Sequence, residues 1–141
     1  MSATAGQAAD GVRSLADRFN IEPGMVVMEI GYDDDVDEDL RNALIDRCGE
    51  LVDEDTDEVV DVVLLWWRDG DGDLVDALVD SLTDLVGGGA IWLLTPKVGR
   101  PNAVPASDIA EAAPIAGLSN TTTIPVSTDW SATKLVAPKS R

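Results

Sequence analysis

Met25-Val-Val-Met-Glu-Ile-Gly-Tyr-Asp-Asp-Asp35 decides how this chain is read. Residues 26–30 form an apolar run of strand length, the pattern of a strand covered on both faces. Gly31 follows it. A loop that cradles a cofactor would then place further glycines, because the backbone must approach the ligand closely. Here the next residues are Tyr32, Asp33, Asp34 and Asp35. The chain has the plan of a cofactor-binding α/β domain with carboxylates in the expected cradle.

Working outward, Val12, Leu15, Ala16 and Phe19 recur at helical spacing and predict a helix over 10–19, after a disordered tail of residues 1–9. Pro23-Gly24 turns the chain into the strand. Val36, Leu40, Ala43, Leu44 and Cys48 predict a second helix ending near Gly49, followed by a short strand at 50–52 and a charged loop at 53–58. Residues 59–67, Val-Val-Asp-Val-Val-Leu-Leu-Trp-Trp, are the strongest strand. Leu74, Val75, Leu78, Leu82 and Leu85 predict a helix stopped by Gly87-Gly-Gly89, ahead of a third strand at 90–95. Ser107 is placed to cap a short helix carrying Ile109, Ala112, Ala113 and Ala116, which Pro114 limits or kinks. Residues 121–126 and 131–137 pair around a turn at 127–130, with Pro125 suited to an edge. Strands alternating with helices imply parallel βαβ units with right-handed crossovers. The expectation is one three-layer α/β domain over 10–141, with a mostly parallel sheet closed by a C-terminal antiparallel hairpin.

The formal net charge of −17 is large for 141 residues. Residues 33–84 hold 20 acids against Arg41, Arg47 and Arg68 alone, whereas residues 97–141 hold five basic residues and three acids. Phosphate backbones and anionic membranes need Lys and Arg, so neither nucleic acid nor membrane is expected as a partner. Cys48 is the sole cysteine, and its place on an apolar stripe suits an inert buried thiol. There is no histidine, which removes the usual neutral-pH base and metal ligand. No metal site is expected. Asp69-Gly-Asp-Gly-Asp73 resembles the start of a calcium loop, but no Glu follows until Glu111, and acids at a helix N-terminus are common. The N-terminus lacks an apolar signal region and no apolar run has membrane length, so a cytoplasmic protein is expected.

Three segments resemble class I methyltransferases: Ile21-Glu-Pro-Gly-Met-Val-Val-Met-Glu-Ile-Gly31, Asp61-Val-Val-Leu-Leu65, and Leu85-Val-Gly-Gly-Gly-Ala-Ile-Trp-Leu-Leu94. A fuller resemblance covers nearly the whole chain. It is to a mostly actinobacterial group, domain of unknown function 3052, and is carried by Ile91-Trp-Leu-Leu-Thr-Pro-Lys97, Pro105-Ala-Ser-Asp-Ile-Ala-Glu-Ala-Ala-Pro114 and Asp129-Trp-Ser-Ala-Thr-Lys-Leu-Val136. The resemblance implies a Rossmann-like, methyltransferase-like fold and no particular activity. Of the three spaced glycines in the methyltransferase loop only Gly31 aligns, and Asp33 and Asp35 take the other two places. Asp53 stands where the relatives carry an acid for the ribose hydroxyls. Gly31, Asp33, Asp35 and Asp53 therefore mark a degenerate cofactor site, and no cofactor is expected.

Two other groups are candidate sites. Trp67, Lys97 and Arg100 lie past strand ends, where ligands enter open α/β sheets. Asp73, Asp76, Asp80 and Asp84 share one helical face, either a solvated surface or a docking face for a basic protein. No catalytic constellation emerges. The expected function is a non-enzymatic interaction or regulatory protein with a basic partner. The alternatives are a small-ligand or S-adenosylmethionine-binding methyltransferase-like protein with a modified pocket, and a self-associating homo-oligomer.

Overall fold

A computed structural model describes residues 16–137. The predicted tail and most of the first predicted helix lie outside them. Residues 16–18 are helical, and the chain turns at Asn20. The elements that follow are β1 (Val27–Ile30), α1 (Glu38–Cys48), β2 (Leu51–Val52), β3 (Val60–Trp66), α2 (Leu74–Ser81), β4 (Leu85–Pro96), α3 (Ala106–Ile115), β5 (Ser119–Pro125) and β6 (Trp130–Val136). The six strands form one sheet in the order β2-β1-β3-β4-β6-β5. The strands β2, β1, β3 and β4 are mutually parallel neighbours, and β6 runs antiparallel to both β4 and β5. The three apolar runs of the sequence are thus adjacent, parallel and central.

Alternation along the central strands feeds two cores. Val62, Leu64, Trp66, Trp92 and Leu94 pack with Leu40 and Leu44 of α1 and with Phe19 and Ile21. Val63, Leu65, Ile91 and Leu93 pack on the other face with Leu78 of α2 and Ile109, Ala112 and Ala113 of α3. Trp66 meets Trp130 edge-on at 4.9 Å, and Trp92 meets Phe19 at 4.4 Å. Such pairs add about 0.5–1.5 kcal/mol beyond their buried area.

Two expectations are corrected between 81 and 90. The helix ends at Ser81 rather than running to Leu85. The Val60 N–H donates to the Asp84 carbonyl at 2.8 Å, and Val60 pairs with Leu85 in the sheet, so the chain must leave the helix to meet β3. The glycines 87–89 do not precede the strand but lie within it. Val60 pairs with Leu85 and Val62 with Ala90, so residues 86–89 stand against Asp61 alone, as an irregular bulge. A methyl group on Gly89 would sit 2.8 Å from the Asp61 carbonyl oxygen, which explains glycine there. Trp130, placed in a turn by the sequence pattern, opens β6.

The link from β2 to β3 shapes the molecule most. Parallel strands usually need a crossover of at least ten residues, commonly helical. Here residues 53–59 suffice. Val52 and Val63 both pair with Met28, so they stand level on either side of β1. The chain must cross two strand spacings and drop back three residues to Val60. That is roughly 14 Å, and seven residues can reach about 25 Å. A two-residue β2 therefore closes without a helix, and the sheet face over Met28 and Ile30 carries no crossover helix beside α2.

Candidate functional site

The loop after β1 and the end of β3 meet at the sheet's C-terminal edge, where a methyltransferase-like fold would hold its ligand. Arg68, only 9% exposed, fills this place. Its Nε donates to Asp35 Oδ2 at 3.0 Å, and its Nη2 pairs closely with Asp35 Oδ1. Its Nη1 donates to the Gly31 carbonyl at 2.8 Å. The guanidinium lies 5.5 Å from the ring centre of Trp130, whose indole N–H donates to the Asp35 carbonyl at 3.0 Å. The Arg68 N–H is held in turn by Asp71 Oδ2 at 3.0 Å. This forked pairing draws the Asp35 carboxyl below its ordinary range and raises the Arg68 guanidinium further.

Gly31 has φ +86, and a methyl group there would overlap the Trp66 carbonyl oxygen. The close approach that demands glycine is to the protein's own backbone. Asp33 is exposed, and its Oδ1 accepts the Asp34 N–H at 2.7 Å. An S-adenosylmethionine cradle needs loop N–H groups facing the ligand, whereas the Gly31 carbonyl here faces Arg68. The residues do not fit that cofactor.

A second lock stands beside the first. Glu29, in β1, receives Arg41 Nε at 2.7 Å, Arg41 Nη2 at 2.9 Å and the Trp66 indole N–H at 2.9 Å. Arg41 also donates to Glu38 Oε1 at 2.9 Å and lies over the Tyr32 ring. Its guanidinium is raised chiefly by Glu29, and the Glu38 carboxyl is lowered chiefly by Arg41. Glu29, Arg41 and Arg68 are not among the residues singled out by sequence. Their signal was present: a carboxylate inside an apolar strand must find a partner, and only three cations stand in 33–84.

The remaining candidates separate. Asp53 is exposed and makes a turn, its Oδ1 accepting the Asp55 N–H at 3.0 Å. Its neighbour Glu54 instead lines a cavity of about 500 Å³, together with Gly31, Trp67, Asp80 and Asp84. Met28 and Leu65, each 2% exposed, also line it and give it an apolar floor. Trp66 and Trp67 face opposite sides, as strand alternation requires. Arg100 lies elsewhere, pairing with Asp129 at 3.0 Å beside a cavity of about 270 Å³ that Asp35 and Trp130 also line. Lys97 is half-buried, with its N–H on the Asp129 carbonyl. Trp67, Lys97 and Arg100 thus form no common crevice.

The four aspartates do not form the single helical face expected. Asp73 is the N-cap of α2, accepting the Asp76 N–H at 3.2 Å. Asp76 and Asp80 are exposed on the helix, and Asp84 is half-buried in the turn beyond it. Leu78 is fully buried as anticipated, whereas Leu74, Leu82 and Leu85 are half-buried. Cys48 is half-buried, donates to the Glu50 carbonyl, and has its thiol pKa raised by burial. Among the described residues there is no cluster of three or more metal-ligating side chains. No helix among them is long and apolar enough to cross a membrane.

Comparison with solved structures places the fold. A SAM dependent methyltransferase from Aquifex aeolicus superposes with a TM-score of 0.61 at 12% identity, over 89% of this chain and 88% of that one. An O-methyltransferase family protein from Burkholderia thailandensis gives 0.62 at 12% identity, over 98% of this chain and 57% of that one. At such identities the likeness is one of fold. An uncharacterized protein of Mycobacterium tuberculosis is 53% identical over 135 residues, 95% of this chain and 85% of its own length, as is one of Mycobacterium bovis. The model of the family described as Protein of unknown function (DUF3052) matches residues 16–139, and the chain belongs to that family.

Proposed function

We propose that this chain is a non-enzymatic, acidic interaction protein built on a methyltransferase-like scaffold, and that it docks a basic protein surface. One observation carries the reading. At the ends of β1 and β3, where the fold would hold a cofactor, the side facing Trp130 is taken by Arg68, bound to Asp35 and to the Gly31 carbonyl. A net charge of −17, concentrated in residues 33–84, supplies long-range attraction for a cationic partner. Exposed Asp76 and Asp80 present part of that charge on a rigid helix.

Calorimetry with S-adenosylmethionine and salt-dependent capture test this together. No measurable heat is expected with the cofactor, and micromolar affinity for it would overturn the reading. A captured partner should be basic. Its retention should fall as salt rises, because exposed charges are screened beyond about 8 Å at physiological ionic strength. Replacing Asp76, Asp80 and Asp84 with Asn should slow its association. Unchanged association would end the role of this surface.

A further inference from the structure

The cavity of about 500 Å³ beside α2 shares Asp80 and Asp84 with the proposed docking surface, but its interior is not used by that role. It exists because the seven-residue link from β2 to β3 carries no helix, and because α2 stops at Ser81, which brings Thr83 and Asp84 to its wall. Its volume lies within the range of about 300–1,000 Å³ common to small-molecule sites. Its floor is apolar, formed by Met28 and Leu65, with Ile30 beside them. Trp67 adds an aromatic wall.

Trp67 differs from the other three tryptophans. The Trp66, Trp92 and Trp130 indoles donate to Glu29, the Phe19 carbonyl and the Asp35 carbonyl. Among the described residues the half-buried Trp67 indole has no acceptor, and since no buried side-chain nitrogen is left unpaired, its N–H is open to solvent. The side chains of Glu54, Asp80 and Asp84 likewise have no cationic partner among the described residues, whereas Asp35, Asp71 and Glu29 each face an arginine. The cavity therefore joins an apolar floor, an indole wall and four acidic residues, of which Asp71 is paired with Arg68 and Glu54, Asp80 and Asp84 are not paired among the described residues.

We infer that this cavity binds a small organic cation, an ammonium group carried on an apolar or aromatic body. The body would lie on Met28, Leu65 and Trp67, and the ammonium would sit among Glu54, Asp80 and Asp84. An indole face attracts cations, and carboxylates accept charge-assisted hydrogen bonds that an ammonium donates and a neutral ligand lacks. Anionic ligands are repelled by the same rim. This site stands on the opposite sheet face from α1; it shares Asp80 and Asp84 with the proposed docking surface but needs no protein partner, so ligand calorimetry tests it separately.

The test is calorimetry on the full chain with 2-phenylethylammonium and its neutral counterpart 2-phenylethanol. The ammonium should bind at least about tenfold more tightly, the difference a charge-assisted contact typically makes. Binding should change tryptophan emission, and Trp67→Phe should remove that change. The triple variant Glu54→Gln, Asp80→Asn and Asp84→Asn should lose the preference for the ammonium. A control variant, Asp39→Asn, Asp46→Asn and Glu50→Gln, removes equal charge from α1 and its end, and should keep it. Circular dichroism would show that both variants fold. Equal affinity for amine and alcohol, no binding of the amine, or equal loss in the control variant would each overturn the inference.

Discussion

At the residue scale, the loop after β1 is an internal clamp. Arg68 is held there by Asp35 and the Gly31 carbonyl. The pairing has a pH signature. The folded-state pKa of Asp35 is lowered by Arg68, so its contribution is fully present above the unfolded value of about 3.9 and is lost as pH falls through the folded value. Asp35→Asn should therefore destabilise the protein at neutral pH by roughly 1–2 kcal/mol, a charged hydrogen bond discounted because the carboxylate is half exposed. Urea denaturation of both proteins should show this gap closing as pH drops below the ordinary carboxylate range. A gap that stays constant with pH would remove the clamp from the argument. Gly31 and Asp35 were visible in the sequence, as the aligned glycine and an aspartate standing in a glycine's place. Their common partner was not, because Asp35 and Arg68 are 33 positions apart and no local pattern links them.

At the element scale, short-range signals read well and long-range demands overrode some of them. Asp37 caps α1 and Gly49 ends it, as turn chemistry suggests. Leu82 and Leu85 continued a helical period, yet the ladder partner of Val60 had to come from Asp84 and Leu85, so α2 was cut short. The glycines 87–89 carried the right signal for an interruption and the wrong address for it. The aspartates around α2 also divide into unlike roles, which stability measurements can separate. Asp73→Ala removes a cap and should cost about 1 kcal/mol, while Asp73→Asn should be nearly neutral because Asn also caps well. Asp80→Asn relieves repulsion from Asp76 one turn earlier and should gain about 0.2–0.5 kcal/mol. Thermal melts of the three variants check the order. Equal effects from Asp73→Ala and Asp80→Asn would mean that Asp73 does not cap the helix.

At the scale of the whole molecule, the charge of −17 acts on stability as well as on partners. Compact like charges repel, and salt screens them, so moderate salt should raise stability by about 1 kcal/mol, or roughly 3–5 °C in Tm. Differential scanning calorimetry across an ionic-strength series measures this, and a flat response would show that the local clamps already offset the repulsion. The sheet order carries a consequence of another kind, one of timing. β6 lies between β4 and β5, so β5 leaves the ribosome before the strand that pairs with it. Until residues 130–136 arrive, β4 offers an open apolar edge and β5 waits beside it as a loose, threonine-rich thread. Segment 130–136 is thus the keystone of this side of the sheet, and a chain stalled near Asp129 would present an unguarded seam between β4 and β5.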